Sequence, residues 1–319
     1  PHEAPAVQKQ KQYSIFGWEL IELKHKHSNA AVNSSMIRRP IRRWFPLFMG
    51  PMVCAFIIGF VYPFCKGIYL SFCKFKVTSD AHFVGLENYR RAFQDASFVH
   101  SFWFTALFAV ISLVLINVLA FAIALLLTRG MHGTNAFRTI FFLPNLIGGI
   151  VLGYIWQILL NGILSALGKP LLALNATYGF WGLIILMCWQ QIGYMMIIYI
   201  AGLQNVPTDL IEAARIDGAG EARIFFTIVL RLLAPAMVTI FLFLFVGTWN
   251  NFLLPLMMVS SDTLKPVTLG LYGMVSLATF NDRGSLMMGA LLGVLPVIVL
   301  FLGLQRYWQA GLAAGAVKG

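Results

Sequence analysis

The stretch SFWFTALFAVISLVLINVLAFAIALLLT, residues 101–128, runs for 28 positions without a charged side chain. An α-helix rising about 1.5 Å per residue crosses the roughly 30 Å hydrocarbon core of a bilayer in about 20 residues. A backbone in lipid must also satisfy its own hydrogen bonds, which leaves a helix as the form this stretch takes.

Outward from this span, five further uncharged runs appear at 45–65, 139–161, 180–202, 232–260 and 284–304. The expected fold is therefore an all-α membrane protein with six transmembrane helices. Composition agrees: 59% of the 319 residues are hydrophobic and 11% charged, against roughly half and a quarter in a soluble domain. The runs divide the chain into an N-terminal arm 1–44, a first helix 45–65, an external loop 66–100, a five-helix core 101–306 with a long loop at 203–231, and a tail 307–319. Residues 1–35 read as an extension ahead of Met36, which opens a short basic arm with Arg38, Arg39, Arg42 and Arg43.

The net charge of +11 does not point to nucleic acid, because the basic residues sit at the ends of apolar runs, where they set membrane orientation. Leaving out residues 1–35, Lys and Arg number eleven on the side of the termini and eight on the other, which predicts both termini in the cytoplasm. Cys54, Cys65, Cys73 and Cys188 lack metal-ligand spacing and read as core fillers. Gly149 with Gly153, and Gly289 with Gly293, have the four-residue spacing that lets helices approach closely. The methionine pairs 195–196, 257–258 and 287–288 suit gap filling.

The loop after the fourth run reads VPTDLIEAARIDGAG, residues 206–220. Pro207 and Thr208 suit a helix start, Asp209 and Glu212 favour the positive end of its dipole, and Gly218 is placed to end it. Glu212 and Arg215 have the spacing to pair on one face, while Ala213 and Ala214 keep another face slim enough to enter a groove.

This stretch resembles the hallmark loop of the membrane subunits of binding-protein-dependent ABC importers, and among them the carbohydrate permeases of the maltose type. The hallmark is Glu-Ala-Ala, three residues, Gly, nine residues, Ile, one residue, Leu-Pro. Here Glu212-Ala213-Ala214, Gly218, Ile228 and Leu230 match, and Arg231 replaces the proline. Residues 83–91, FVGLENYRR, are similar to an external segment of one sugar-permease partner, and the tail 305–319 to the C-terminus of the other. The resemblance implies the type I ABC importer permease fold and a coupling role toward an ATPase for Glu212, Ala213, Ala214, Asp217 and Gly218. It implies as partners ABC ATPase subunits, a second permease subunit that is a sibling or a copy of this chain, an external solute-binding protein and the lipid bilayer of the bacterial inner membrane.

A phosphate-binding loop is missing, since Gly162 with Gly168-Lys169-Pro170 has the wrong spacing and no hydroxyl. ATP and Mg²⁺ are accordingly expected on the partner ATPase, with no cofactor in this chain. Nucleophile elbows, metal-binding His pairs and paired intramembrane carboxylates are also lacking, which argues against a membrane enzyme and an ion-driven secondary transporter. A sugar site needs aromatic faces and amides without fixed charge. Candidates are Trp249, Asn250 and Asn251, Gln190, Gln191 and Tyr194, and Asn145 with Trp156 and Gln157; each could instead hydrogen-bond between helices. Rival solutes such as an amino acid, polyamine or glycerol phosphate would ask for charge at the cavity. The sequon at Asn175 reads as chance.

Overall fold

The computed structural model describes residues 45–130, 133–259, 261, 264–276 and 283–316; the basic arm and Lys318 lie outside them. The chain divides into two compact units, residues 1–66 and 67–319. Among the described residues six helices are long and apolar enough to cross a membrane: α1 (Phe45–Ser71), α3 (Ala96–Leu127), α5 (Gly149–Ala166), α6 (Ala176–Gln204), α8 (Glu221–Trp249) and α11, whose membrane-length part is Arg283–Gln305. Between them lie short helices: α2 (Glu87–Gln94), α4 (Thr134–Phe142), α7 (Thr208–Ile216), α9 (Leu253–Met258) and α10 (Val267–Ser276). Helix α11 continues to Ala316, through most of the expected tail. The fold class read from the sequence is thus the one observed.

In the first unit no side chain between Phe45 and Lys66 is buried. Phe48 and Ile58 are 77% and 70% exposed, a surface suited to lipid. Cys54 and Cys65 lie on it and are exposed, which corrects their reading as core fillers; Cys73 and Cys188 are buried as expected.

The second unit is built around α3 and α6. Small residues Ala109, Ala120 and Ala124 are fully buried on α3 and admit Leu183, Ile184, Met187, Met195 and Met196 of α6. Without a hydrophobic effect between helices in lipid, such close packing is the main attraction available. Asp95 starts α3 by accepting from the backbone N–H groups of Ser97 (2.8 Å) and Phe98 (3.4 Å). Asn175 does the same for α6 toward Tyr178 (3.1 Å), so the sequon is a helix cap.

The segment 66–100, expected as an external loop, is more ordered than a loop. Cys73–Lys74 (β1) pairs antiparallel with His82–Phe83 (β2). Buried Asn88 of α2 donates to the carbonyls of Ser71 (2.8 Å) and Cys73 (2.9 Å), and Arg283 N–H donates to Phe75 at 2.9 Å.

Two spans differ from expectation. The third run, expected as one helix over 139–161, breaks into α4, a 3₁₀ turn Leu143–Leu146 containing Pro144, and α5. Pro144 removes a backbone donor, the chain tightens into the 3₁₀ turn, and it leaves helical geometry at Ile147 (φ −84°, ψ 131°). The fifth run, expected over 232–260, is one helix to Trp249 and then a break before α9. There the Val246 carbonyl accepts both the Asn250 backbone N–H (3.1 Å) and its side-chain amide (3.0 Å), and Thr268 Oγ1 donates to the Asn251 carbonyl (2.8 Å), so side chains supply donors to carbonyls at the helix end.

The glycine pairs act as read. A Cβ on Gly153 would meet Met257 of α9 at 2.9 Å, and one on Gly289 would meet Leu271 of α10 at 2.6 Å. Gly168, with φ +64°, closes α5 through Lys169 N–H to Leu164 O at 2.8 Å. The segment that superficially suggested a phosphate loop is a helix terminus.

Candidate functional site

Helix α7 begins after Pro207, has Asp209 in its first turn and buries no side chain. Its end is a Schellman turn: Gly218 adopts φ +78°, its N–H donates to Arg215 O (3.0 Å), and Ala219 N–H donates to Ala214 O (2.9 Å). Glu212, Ala213, Asp217 and Gly218 are exposed and Ala214 is half-buried. Ile216 is 86% exposed at the tip.

The expected pairing of Glu212 with Arg215 is not made. The Gly218 turn folds the chain back so that Arg215 Nε donates to Glu221 Oε1 at 2.8 Å. That carboxylate holds the guanidinium above its usual pKa, first through the hydrogen bond and then through charge. Glu221 also sits in the first turn of α8, where a helix favours negative charge. The pair spans the bend between α7 and α8, and Glu212 is left on the exposed face.

Arg231, in place of the hallmark proline, lies inside a helix that is continuous from Glu221 to Trp249. A single π turn, Phe225–Val229, interrupts its regular bonding.

The polar residues inside the spans are placed differently from one another. Trp249 is 4% exposed, donates from Nε1 to Gly293 O at 2.7 Å, and meets the rings of Phe102 and Phe245, both at 5.4 Å. Its neighbour Asn250 is exposed, so these two adjacent candidates face different surroundings. Asn251 donates to Met187 Sδ at 3.4 Å. Gln157 reaches the Met258 carbonyl at 3.5 Å, and Trp156 leans on Trp189 at 5.2 Å.

Gln190, Gln191 and Tyr194 lie half-buried along the middle of α6, with the Tyr194 ring 6.4 Å from Phe142. Asn145 sits in the turn after α4, outside the membrane-length helix where the sequence had placed it. That turn packs on α6, where Gly193 admits the Phe141 carbonyl. The structure therefore groups Asn145 with the α6 set and leaves Asn250 and Asn251 at the break after α8. Such breaks at membrane depth persist where they line a cavity or lie within protein.

Sequence reading missed three polar groups that organise this interior. Asn117 accepts from Tyr199 OH at 2.6 Å, Thr105 Oγ1 accepts from Val267 N–H at 2.9 Å, and Thr268 caps the Asn251 carbonyl. The isolation of Asn117 in its span was the available signal; nothing local marked the threonines. Among the described residues no cluster of His, Cys, Asp or Glu could hold a metal ion.

Residues 133–313 match a family described as "Binding-protein-dependent transport system inner membrane component". The chain is 37% identical over 281 residues to "Probable starch degradation products transport system permease protein AmyD" of Thermoanaerobacterium thermosulfurigenes, covering 82% of this chain and 94% of the relative. It is 33% identical over 217 residues to "sn-glycerol-3-phosphate transport system permease protein UgpA" of Brucella suis biovar 1 (strain 1330), covering 64% and 72%. It shares its fold, with a TM-score of 0.67 at 17% identity, with a chain of "a bacterial ABC transporter involved in the import of the acidic polysaccharide alginate", covering 86% of this chain and 99% of that one.

Proposed function

The chain belongs to the inner membrane components of binding-protein-dependent transport systems, and from that premise we propose that it is the permease subunit of an ATP-driven importer of a sugar or oligosaccharide across the bacterial cytoplasmic membrane. It is an integral membrane protein and a transport component. The observation that carries the reading is α7, an exposed Glu-Ala-Ala helix held between two membrane-length helices.

Hydrolysis of ATP, with its Mg²⁺, belongs to separate ATPase subunits. A cleft on each ATPase receives α7 through Glu212, Ala213, Ala214, Asp217 and Gly218, and its closure on ATP rocks the membrane helices around a central cavity. A second permease subunit supplies the other half of that cavity, and a solute-binding protein delivers the sugar from outside. Both termini face the cytoplasm. Gln190, Gln191, Tyr194, Asn145 and Asn250 offer amides and a phenol to sugar hydroxyls, and Trp249 and Asn251 frame them.

The UgpA relatives favour a second solute class, a phosphate ester. An anion would call for a cation at the cavity, and the polar set named here carries none. Uptake should be measured in vesicles containing the permease, its ATPase and its binding protein, with labelled maltooligosaccharides and labelled sn-glycerol 3-phosphate as probes. We expect oligosaccharide uptake that needs ATP and survives an ionophore. Uptake of glycerol phosphate alone would overturn the sugar assignment, and flux driven by an ion gradient without ATP would overturn the importer mechanism.

A further inference from the structure

Tyr199 lies nine residues before the start of α7 and Phe225 nine residues after its end. Both bear on one turn of α3. The Phe121 ring meets Tyr199 edge-on at 5.1 Å and Phe225 at 5.8 Å. One helical turn away, Asn117 Oδ1 accepts from Tyr199 OH at 2.6 Å while its amide nitrogen donates to Leu113 O at 2.7 Å. The amide is thus bonded through both its atoms, and Tyr199 is 2% exposed. We propose that this constellation, Phe225–Phe121–Tyr199–Asn117, is the relay through which movement of α7 reaches the outer half of the membrane domain; the proposal rests on the importer reading above.

Three features support a relay over ordinary packing. The two limbs that flank α7 have no other reason in the loop's own geometry to converge on the same turn of a third helix. The edge-on contact of Phe121 with Tyr199, its tilted contact with Phe225 and the part-buried Tyr199–Asn117 hydrogen bond are directional, so they transmit displacement where aliphatic contacts would slide. Phe225 opens the π turn of α8, a local departure from α-helical bonding that often marks functional positions. At the far end of α3, about 22 Å from Asn117 at 1.5 Å per residue, Phe102 meets the Trp249 ring and Thr105 holds Val267. Helix α3 therefore connects the α7 limbs to the break beside Asn250. Phe121, Tyr199, Asn117 and Phe225 are positioning residues: they touch no solute and act by moving α3.

The test uses the complete complex in lipid nanodiscs, with the four native cysteines replaced by alanine and spin labels at Ser97→Cys and Leu167→Cys, both exposed positions. The distance between labels is measured without nucleotide and after trapping with ATP and vanadate. The parent should shift on trapping. Phe121→Leu and Tyr199→Phe, which keep most of the buried volume, should each lose at least about half of that shift, and Phe225→Leu combined with Phe121→Leu should lose no more than either alone. Variants that assemble and keep the parent's full shift, or whose losses simply add, overturn the relay. A parent indifferent to nucleotide would instead sink the importer reading and the relay with it, a failure recognisable because the parent itself is silent.

Discussion

Replacing Gly193 by alanine should loosen the contact between α4 and α6 more than any comparable change in the molecule's helices. A Cβ at this position would overlap the Phe141 carbonyl and lie 2.8 Å from the Phe142 nitrogen. The obstacle is backbone, so no side chain can rotate away, and α4 must retreat by on the order of 1 Å to restore van der Waals separation. Overpacking of a tight interior costs about 1–3 kcal/mol, and the rigidity of the obstacle places Gly193→Ala near the upper figure. Gly202→Ala is the graded comparison: its Cβ would meet Leu233 Cδ2 at 2.7 Å and Ala236 at 3.3 Å, and because the leucine tip can swing aside the cost falls to about 1 kcal/mol. Gly270→Ala is the control, since Ser101 at 3.5 Å is an ordinary contact and a helical alanine is favoured. Thermal melting of the purified protein should drop by about 6–10 °C for Gly193→Ala, by about 3 °C for Gly202→Ala, and not at all for Gly270→Ala, at about 2–4 °C per kcal/mol. A Gly193→Ala protein that melts with the parent would refute the close approach of the end of α4 to α6.

Gly218→Val forces a branched side chain into the left-handed region at about 1–2 kcal/mol and unwinds the end of α7; the variant should insert into the membrane normally yet fail to co-purify with ATPase subunits, as should Glu212→Lys. Trp249→Phe removes the bond to Gly293 while keeping an aromatic ring, and should lower melting by the few degrees that about 1 kcal/mol represents; an unchanged melt would show the bond to be idle. Asn250→Asp places a charge at an exposed position of the α8 break and gives up the side-chain donor to Val246, whose carbonyl still accepts the Asn250 backbone N–H, so assembly should be normal and uptake of neutral oligosaccharide reduced; equal uptake would remove Asn250 from the solute path. In a double-mutant cycle, Arg215→Met and Glu221→Gln should show coupling at low salt that disappears at 1 M salt, where screening is nearly complete over a few ångströms.

Much of the architecture was readable without coordinates because each membrane-length helix announces itself by uncharged length, a property of a single segment. The α7 boundaries followed from equally local signals: Pro207 and Thr208 at one end and Gly218 at the other occupy the positions where backbone geometry demands them. Local signals failed where a competing local force was as strong. The third run split at Pro144, which brings no backbone donor, and the fifth ended at Asn250, whose side chain bonds back to the Val246 carbonyl. The pairing of Glu212 with Arg215 also failed, since spacing along one helix says nothing of a carboxylate brought round by the next.

What the amino-acid order determined by itself was the solvent, the number of crossings and the presence of an exposed Glu-Ala-Ala helix, all of which follow from hydropathy and backbone preference over short windows. What only the tertiary structure decided was which polar atoms meet: Tyr199 with Asn117, Thr105 with Val267, Trp249 with Gly293. These partners lie 82, 162 and 44 residues apart in the chain. In lipid a polar side chain must find a partner somewhere within the protein, but the choice among partners depends on how helices pack, and packing is a relation between segments that no single segment encodes.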